Sequence, residues 1–351
     1  MDTAATPRST KKIVFEVLKY TLFSALTVYL VWAFVRSVDW QKVSQALKQA
    51  NYWWVGLSML VGWLAILVRA QRWRIIIEPL NYRPSLKNTY DAVMLTYLAN
   101  FALPRLGEVV RCGALRKTEK IPFDSLLGTV VLERVFDLFC LLIIVVSVIF
   151  LRMETFGAFM YDKIWQPLIE KTNGSISTWL LMVAAAGFVG LILIIVFRKK
   201  IMKIGWAQKI VKLFSGLADG LKAGFRLKKK NQFLVYTSLI WVLYFLQSFT
   251  IMKAMPDTNG LLMSDALFLM VVGALGWVMP VQGGMGAFHY MISLALIGVY
   301  SIDAGTANAF AIISHESQAV VMIFFGFISL IAITLKFKVQ SSTHTTLNLK
   351  P

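Results

Sequence analysis

The chain has 351 residues, 58% of them hydrophobic, and a formal net charge of +18; its mean hydropathy is +0.66. That hydropathy is far above a soluble domain's, and several runs of 15 or more residues carry no charge, so the chain reads as a polytopic helical membrane protein whose lipid-facing backbone is satisfied within helices. Two cysteines, Cys112 and Cys140, exclude a disulfide framework and a cysteine zinc motif, and the greasy composition leaves little room for a soluble catalytic domain.

The first apolar run, 15–35, is too long for a signal peptide and lacks a small-x-small cleavage site, so it is expected to be an anchor. The second, 52–77, opens on "NYWWVG", whose aromatic residues fit an interfacial belt. The third, 90–103, spans only about 21 Å at helical rise, short for a bilayer, and ends in "LPRLG" (103–107). Further runs follow at 126–151 and 179–197, then a basic stretch, 198–230, with eleven Lys or Arg against one Asp. Within it Ile210, Phe214, Leu217 and Leu221 keep helical spacing, which suits either a helix on an anionic leaflet or a solvated connector. Run 233–252 precedes 261–279, which is long enough to span but ends in "MPVQGGMG" (279–286), and 306–335 is the last. One membrane domain over 1–340 and a polar tail over 341–351 are expected.

Charge sidedness orders these runs, because Lys and Arg collect on the cytoplasmic side. With the N-terminus inside, and 90–103 and 261–279 taken as arms of hairpins that return to the side they entered from, the inside carries 28 Lys or Arg and the outside seven. Letting both odd segments cross moves "RKTEK" (116–120) outside and worsens the balance. The positive charge is therefore topological and implies no nucleic acid. The fold class expected is all-α and polytopic, with about six transmembrane helices plus two re-entrant helical hairpins in an inverted-repeat arrangement, eight membrane segments in all, with both termini in the cytoplasm of a cell (inner) membrane.

Both hairpin breaks carry polar chemistry. Pro104 suits the first position of a helix, and Gly107 permits close backbone approach. A helix beginning near Leu106 would aim its N–H groups at an anion, with Arg105 beside it as a phosphate grip and Glu108 and Arg111 on one face. The next span holds "LERVFD" (132–137): Glu133, Arg134 and Asp137 are expensive in lipid and expected to face the interior, either as part of an anion site or as a closed network locking helices. In the second half "GGMG" (Gly283, Gly284, Gly286) is either a matching cradle or a plain turn. His289, His315, Glu316, Gln282 and Gln318 are the polar groups there. His315 beside Glu316 either holds a proton or is a packing residue. The three histidines, His289, His315 and His344, are too far apart in sequence for a metal motif. No Walker motif, Ser-His-Asp triad or aspartate-rich magnesium motif is present, so no cofactor and no enzymatic activity are expected.

"LPRLGEVVRCGALRK" (103–117) followed by "LLGTVVLERVFDL" (126–138), and later "MPVQGGMGAFHY" (279–290) with "HESQ" (315–318), resemble the lysylphosphatidylglycerol synthase transmembrane region, the flippase-like family. The resemblance covers nearly the whole chain. It implies an integral membrane lipid translocase, with Arg105, Gly107, Glu108, Arg111, Glu133 and Arg134 in a first half-site and Gly283, Gly284 and Gly286 in a second. Bifunctional members carry a soluble aminoacyl-transferase domain after the spans; here about 16 residues follow the last one. The expected function is thus a standalone translocase for a charged-headgroup lipid, an anionic or aminoacylated phospholipid or another lipid-linked headgroup. The alternatives are a membrane-embedded transferase, with Glu133 as its acid or base, and a non-transporting partner of a separate synthase. Narrow glycine tips imply that Val at Gly107 or Gly286 would stop transport and leave stability near normal. A buried Arg134–Asp137 pair implies that Arg134→Ala would be strongly destabilising.

Overall fold

The computed structural model describes residues 10–151, Gln166 and 227–347. Among them every regular element is helical: α1 (Thr10–Ser37), α2 (Trp40–Gln49), α3 (Tyr52–Ile77), α4 (Leu86–Ala102), α5 (Gly107–Glu119), α6 (Phe123–Leu151), α7 (Lys230–Met252), α8 (Pro256–Asn259), α9 (Met263–Val278), α10 (Ala287–Tyr300) and α11 (Ala304–Leu347), with single 3-10 turns at Glu78–Leu80 and Gln282–Gly284. Six stretches of the described residues are long and apolar enough to cross a membrane: Leu18–Ser37, Tyr52–Leu80, Phe123–Leu151, Lys230–Met252, Gln282–Tyr300 and Ala304–Lys336. Five coincide with expected spans. The run 179–197 and the amphipathic pattern of 210–221 lie outside the described residues. Gln282–Tyr300 joins the six because its turn and helix are continuous and apolar, although α10 itself has only 14 residues. The expected tail from 341 is helical through Leu347.

The chain divides into two compact units, Met1–Val130 with Asn231–Pro351, and Val131–Lys230. In the first unit the helix starts follow local capping. Asp39 accepts from the N–H groups of Gln41 and Lys42, Asn51 from Trp53, and Ser85 from Asn88, each satisfying an otherwise orphaned donor. Leu103 ends α4 in an extended conformation (φ −140, ψ 126), as a residue before proline must. That places Pro104 in the turn, and α5 starts at Gly107 with Leu106 as its N-cap, in line with the expected helix start near Leu106.

Both breaks make helical hairpins. The last turn of α5 returns to the start of α4, where Glu119 Oε1 accepts from the Ser85 N–H at 2.9 Å and from the Asn88 amide. The end of α10 returns to the start of α9, where the Tyr300 hydroxyl donates to Asp265 Oδ1 at 2.9 Å. The two hairpins root at opposite ends of α11. Near its far end Ser329 donates to Asp91 at 2.9 Å and Lys336 to Asn88 at 3.1 Å. The second hairpin's α10 ends at Tyr300, just before α11 begins at Ala304, where Asp303 pairs with Lys42 of α2 at 3.4 Å and Thr306 donates to Asp257 of α8 at 2.9 Å. The Asn51 N–H bonds the Ala254 carbonyl at 2.7 Å. Helix α11 also packs on α4 and α10, so one long helix braces both hairpins.

Candidate functional site at the hairpin breaks

The first break is tight. A Cβ on Gly107 would overlap the Thr96 carbonyl oxygen and come within 2.7 Å of Thr96 Cγ2 and 2.8 Å of Asn100 Oδ1. Glycine is needed here because α5 leans directly on the backbone of α4. The Gly107 N–H is also taken, donating to Asn100 Oδ1 at 2.8 Å. So the first donor of α5 serves the hairpin, against the expectation that it faces a ligand. Arg105 adopts φ 63, a left-handed conformation unfavourable for a side-chain-bearing residue. It is exposed, and Nη2 donates to the Val278 carbonyl at the end of α9, 3.1 Å away. One of its five donors is thus used to link the two breaks. Glu108 is half-buried and Arg111 fully buried.

Three arginines near this break, Arg69, Arg72 and Arg111, are buried. Arg69 Nη1 donates to the Tyr97 hydroxyl at 3.1 Å, Arg72 Nη1 approaches Thr237 Oγ1 at 3.5 Å, and the Arg111 guanidinium stands over the Trp73 ring at 4.5 Å. Trp73 is itself anchored by its Nε1–H to Thr129 at 2.8 Å. Arg72, Tyr97 and Asn100 are absent from the sequence-derived set. Arg69 and Arg72, three apart inside an apolar run, were a visible signal. The Asn100–Gly107 contact was not, since it depends on how the hairpin closes.

In the second unit Glu133 is fully buried. Its neighbours differ: Arg134 is 43% exposed and Asp137 20%, and the pair is 3.9 Å apart. The expectation that all three charges face inward is corrected for Arg134, because adjacent helical positions point about 100° apart and cannot share one face. A strong loss from Arg134→Ala is no longer expected.

The second break brings together groups far apart in sequence. Gly283, Gly284 and Gly286 all have positive φ, 55, 74 and 75. A Cβ on Gly283 would overlap the Phe101 ring of α4, and one on Gly286 would lie 2.7 Å from Leu30 Cβ and 2.8 Å from the Leu30 backbone carbon of α1. Val at Gly107 or Gly286 therefore cannot leave the packing undisturbed, which corrects the expected near-normal stability. Beside this turn His315 is fully buried and His289 nearly so, their rings 4.6 Å apart, while the Glu316 side chain is 53% exposed. His315 Nε2 lies 2.8 Å from the Gly283 carbonyl oxygen and Nδ1 2.9 Å from Glu316 Oε1. His289 Nε2 lies 3.3 Å from the same carboxylate oxygen. His289 and His315, 26 residues apart in sequence, are thus neighbours.

One ligand atom from each of His289, His315 and Glu316 lies within 4.8 Å of the others, a spacing compatible with a shared metal ion. The hydrogen bonding disfavours it. The Gly286 N–H donates to His289 Nδ1 at 3.3 Å, so the neutral ring keeps its proton on Nε2, the atom a metal would need.

Residues 17–326 match the family described as the lysylphosphatidylglycerol synthase TM region. The chain belongs to this family. It is a multi-pass integral membrane protein. The UPF0104 membrane protein MJ1595 of Methanocaldococcus jannaschii is 28% identical over 125 residues, 35% of this chain and 37% of the relative. The glycosyltransferase AglD of Haloferax volcanii is 21% identical over 356 residues, 94% of this chain and 56% of the relative. The chain thus spans about a third and a little over half of these relatives' lengths. No solved structure matches it.

Proposed function

We propose that this member of the lysylphosphatidylglycerol synthase TM region family is a lipid translocase that passes a charged headgroup between two re-entrant hairpins, and that it is not an enzyme. The reading rests on one observation above others. Arg105 is exposed, held at an unfavourable φ, and reaches from the break of one hairpin to the Val278 carbonyl at the break of the other. Backbone strain retained at a meeting point of two helix breaks suits a functional site. The remaining guanidinium donors can grip a phosphate in two-pronged fashion. Hairpins rooted at opposite ends of α11 support the inverted-repeat topology, and the excess of Lys and Arg on one side assigns both termini to the cytoplasm of the inner membrane. The Ser85–Glu119 bond supports it against the eight-crossing alternative, which would separate those residues by the membrane.

A second reading is favoured by the name of the Haloferax relative, which aligns with 94% of this chain: a membrane-embedded transferase, or the membrane part of one, acting on a lipid-linked substrate with Glu133 as acid or base. A leaflet-resolved assay in proteoliposomes decides between them, with fluorescent phosphatidylglycerol, its lysyl ester, phosphatidylcholine and a polyprenyl phosphate as probes. The expected result is movement of a phosphate-bearing lipid that Arg105→Ala reduces at least tenfold. Absence of movement for every lipid, with product formed from an added sugar or aminoacyl donor, would replace translocation by transfer.

A further inference from the structure

Both ring nitrogens of His315 face acceptors. Nε2 meets the Gly283 carbonyl oxygen at 2.8 Å, and Nδ1 meets Glu316 Oε1 at 2.9 Å. A neutral imidazole carries one N–H, so it satisfies only one of them. Making both bonds takes a further proton on the line between Nδ1 and Oε1. His289 does not supply it, because its own proton sits on Nε2 and points at the same carboxylate oxygen. The titratable groups facing His315 are His289 from α10 and Glu316 from α11. Helix α9 presents Trp277, stacked on the His315 ring at 5.1 Å and 20°, and α10 adds Phe288 at 5.3 Å. Helix α1 presents Phe34 to His289 at 5.0 Å.

We propose that His315 and Glu316, with His289 as their neutral partner, are a proton-binding site, and that the bound proton ties the glycine turn at 283–286 to α11. When the proton leaves for solvent, His315 keeps one N–H. The carboxylate is the stronger acceptor, so the bond to the Gly283 carbonyl is the one given up. The freed turn is the segment packed on Phe101 and Leu30. Proton occupancy therefore sets how firmly the second break holds against α4, whose own end carries the first. Glu316 is the half-exposed member of the cluster, so exchange is assigned to its carboxylate. The site deepens the translocase reading by naming a coupling ion, and it is measurable whether or not any lipid moves.

The test uses the full chain in nanodiscs with 15N-labelled histidine. Across a pH series, wild type is expected to show one doubly protonated histidine or a protonated glutamate carboxyl in the infrared. Glu316→Gln should return that histidine to a singly protonated ring at the same pH. Amide exchange of the 283–286 turn should be roughly tenfold or more slower in wild type than in His315→Gln at low pH, the worth of one hydrogen bond to a charged group. The difference should vanish as the proton is lost at high pH. Singly protonated, neutral rings throughout, with no protonated carboxyl, would overturn the proposal. So would stoichiometric Zn2+ uptake that shifts the His289 and His315 signals together, which would make the cluster a metal centre. A positive proton signal with no lipid movement would leave this site standing and remove only the translocase reading.

Discussion

Gly107→Ala adds one methyl group at the place where α5 touches the backbone of α4. The new Cβ would overlap the Thr96 carbonyl oxygen, and Thr96 Cγ2 and Asn100 Oδ1 lie within 2.8 Å. A carbon needs about 3.3 Å from a carbonyl oxygen, so the helices must part by roughly 1 Å. Overpacking of this kind costs about 1–3 kcal/mol. Stretching the Asn100–Gly107 bond adds about 0.5–1.5 kcal/mol. Alanine recovers about 0.5–1 kcal/mol through its lower backbone entropy cost, leaving a net loss of about 0.5–4 kcal/mol. Gly113, six residues along the same helix, is the control: a Cβ there meets nothing within 4 Å, so Gly113→Ala should stabilise by up to about 1 kcal/mol. The assay is denaturant unfolding in detergent micelles followed by tryptophan fluorescence. Adding Thr96→Ser to Gly107→Ala removes the Cγ2 clash but not the carbonyl, so it should rescue only in part. If Gly107→Ala proves as stable as Gly113→Ala, the two helices do not approach as described and the account of this hairpin fails.

Arg111→Ala should cost about 2–5 kcal/mol, because it empties a fully buried site and takes the guanidinium off the Trp73 face, whereas the exposed Arg134 at 3.9 Å from Asp137 should cost no more than about 1 kcal/mol on truncation; equal melting losses in the two variants would contradict their burial. Cysteines at Lys117 and Lys336 should label from one side of the membrane and one at Asn259 from the other. Asn259 is exposed at the end of α8, and labelling of Lys117 together with Asn259 would favour the eight-crossing topology. Asp303, between α10 and α11, is held below the usual carboxylate range by the Gly305 N–H and then by Lys42. With its folded value the lower one, its stabilising contribution is present above the ordinary range and lost as pH falls through that folded value. Asp303→Asn should therefore lower stability at neutral pH and flatten its acid decline below about pH 4, and an unchanged acid limb in thermal melts would remove this contact from the account.

Five of the spans, the two breaks and the helical class were legible in the sequence because they depend on local quantities. A run of apolar residues long enough for the bilayer must be helical there, Leu103 before Pro104 must leave the helix, and three glycines in "GGMG" mark a turn other residues resist. Burial could be read only as an average over a helix. "LERVFD" shows three costly charges, but only the packed helix determines that Glu133 is inside and Arg134 outside. The same limit hid the donors and acceptors that the tertiary fold brings together. Asn100 caps Gly107, Arg105 finds Val278, and His289 meets His315 and Glu316, across separations of seven, 173 and 26 residues. Periodicity within a helix carries no information about which face of another helix it will meet. That was decided by glycines small enough to let backbones touch and by α11, whose length and buried polar contacts hold the two hairpins together.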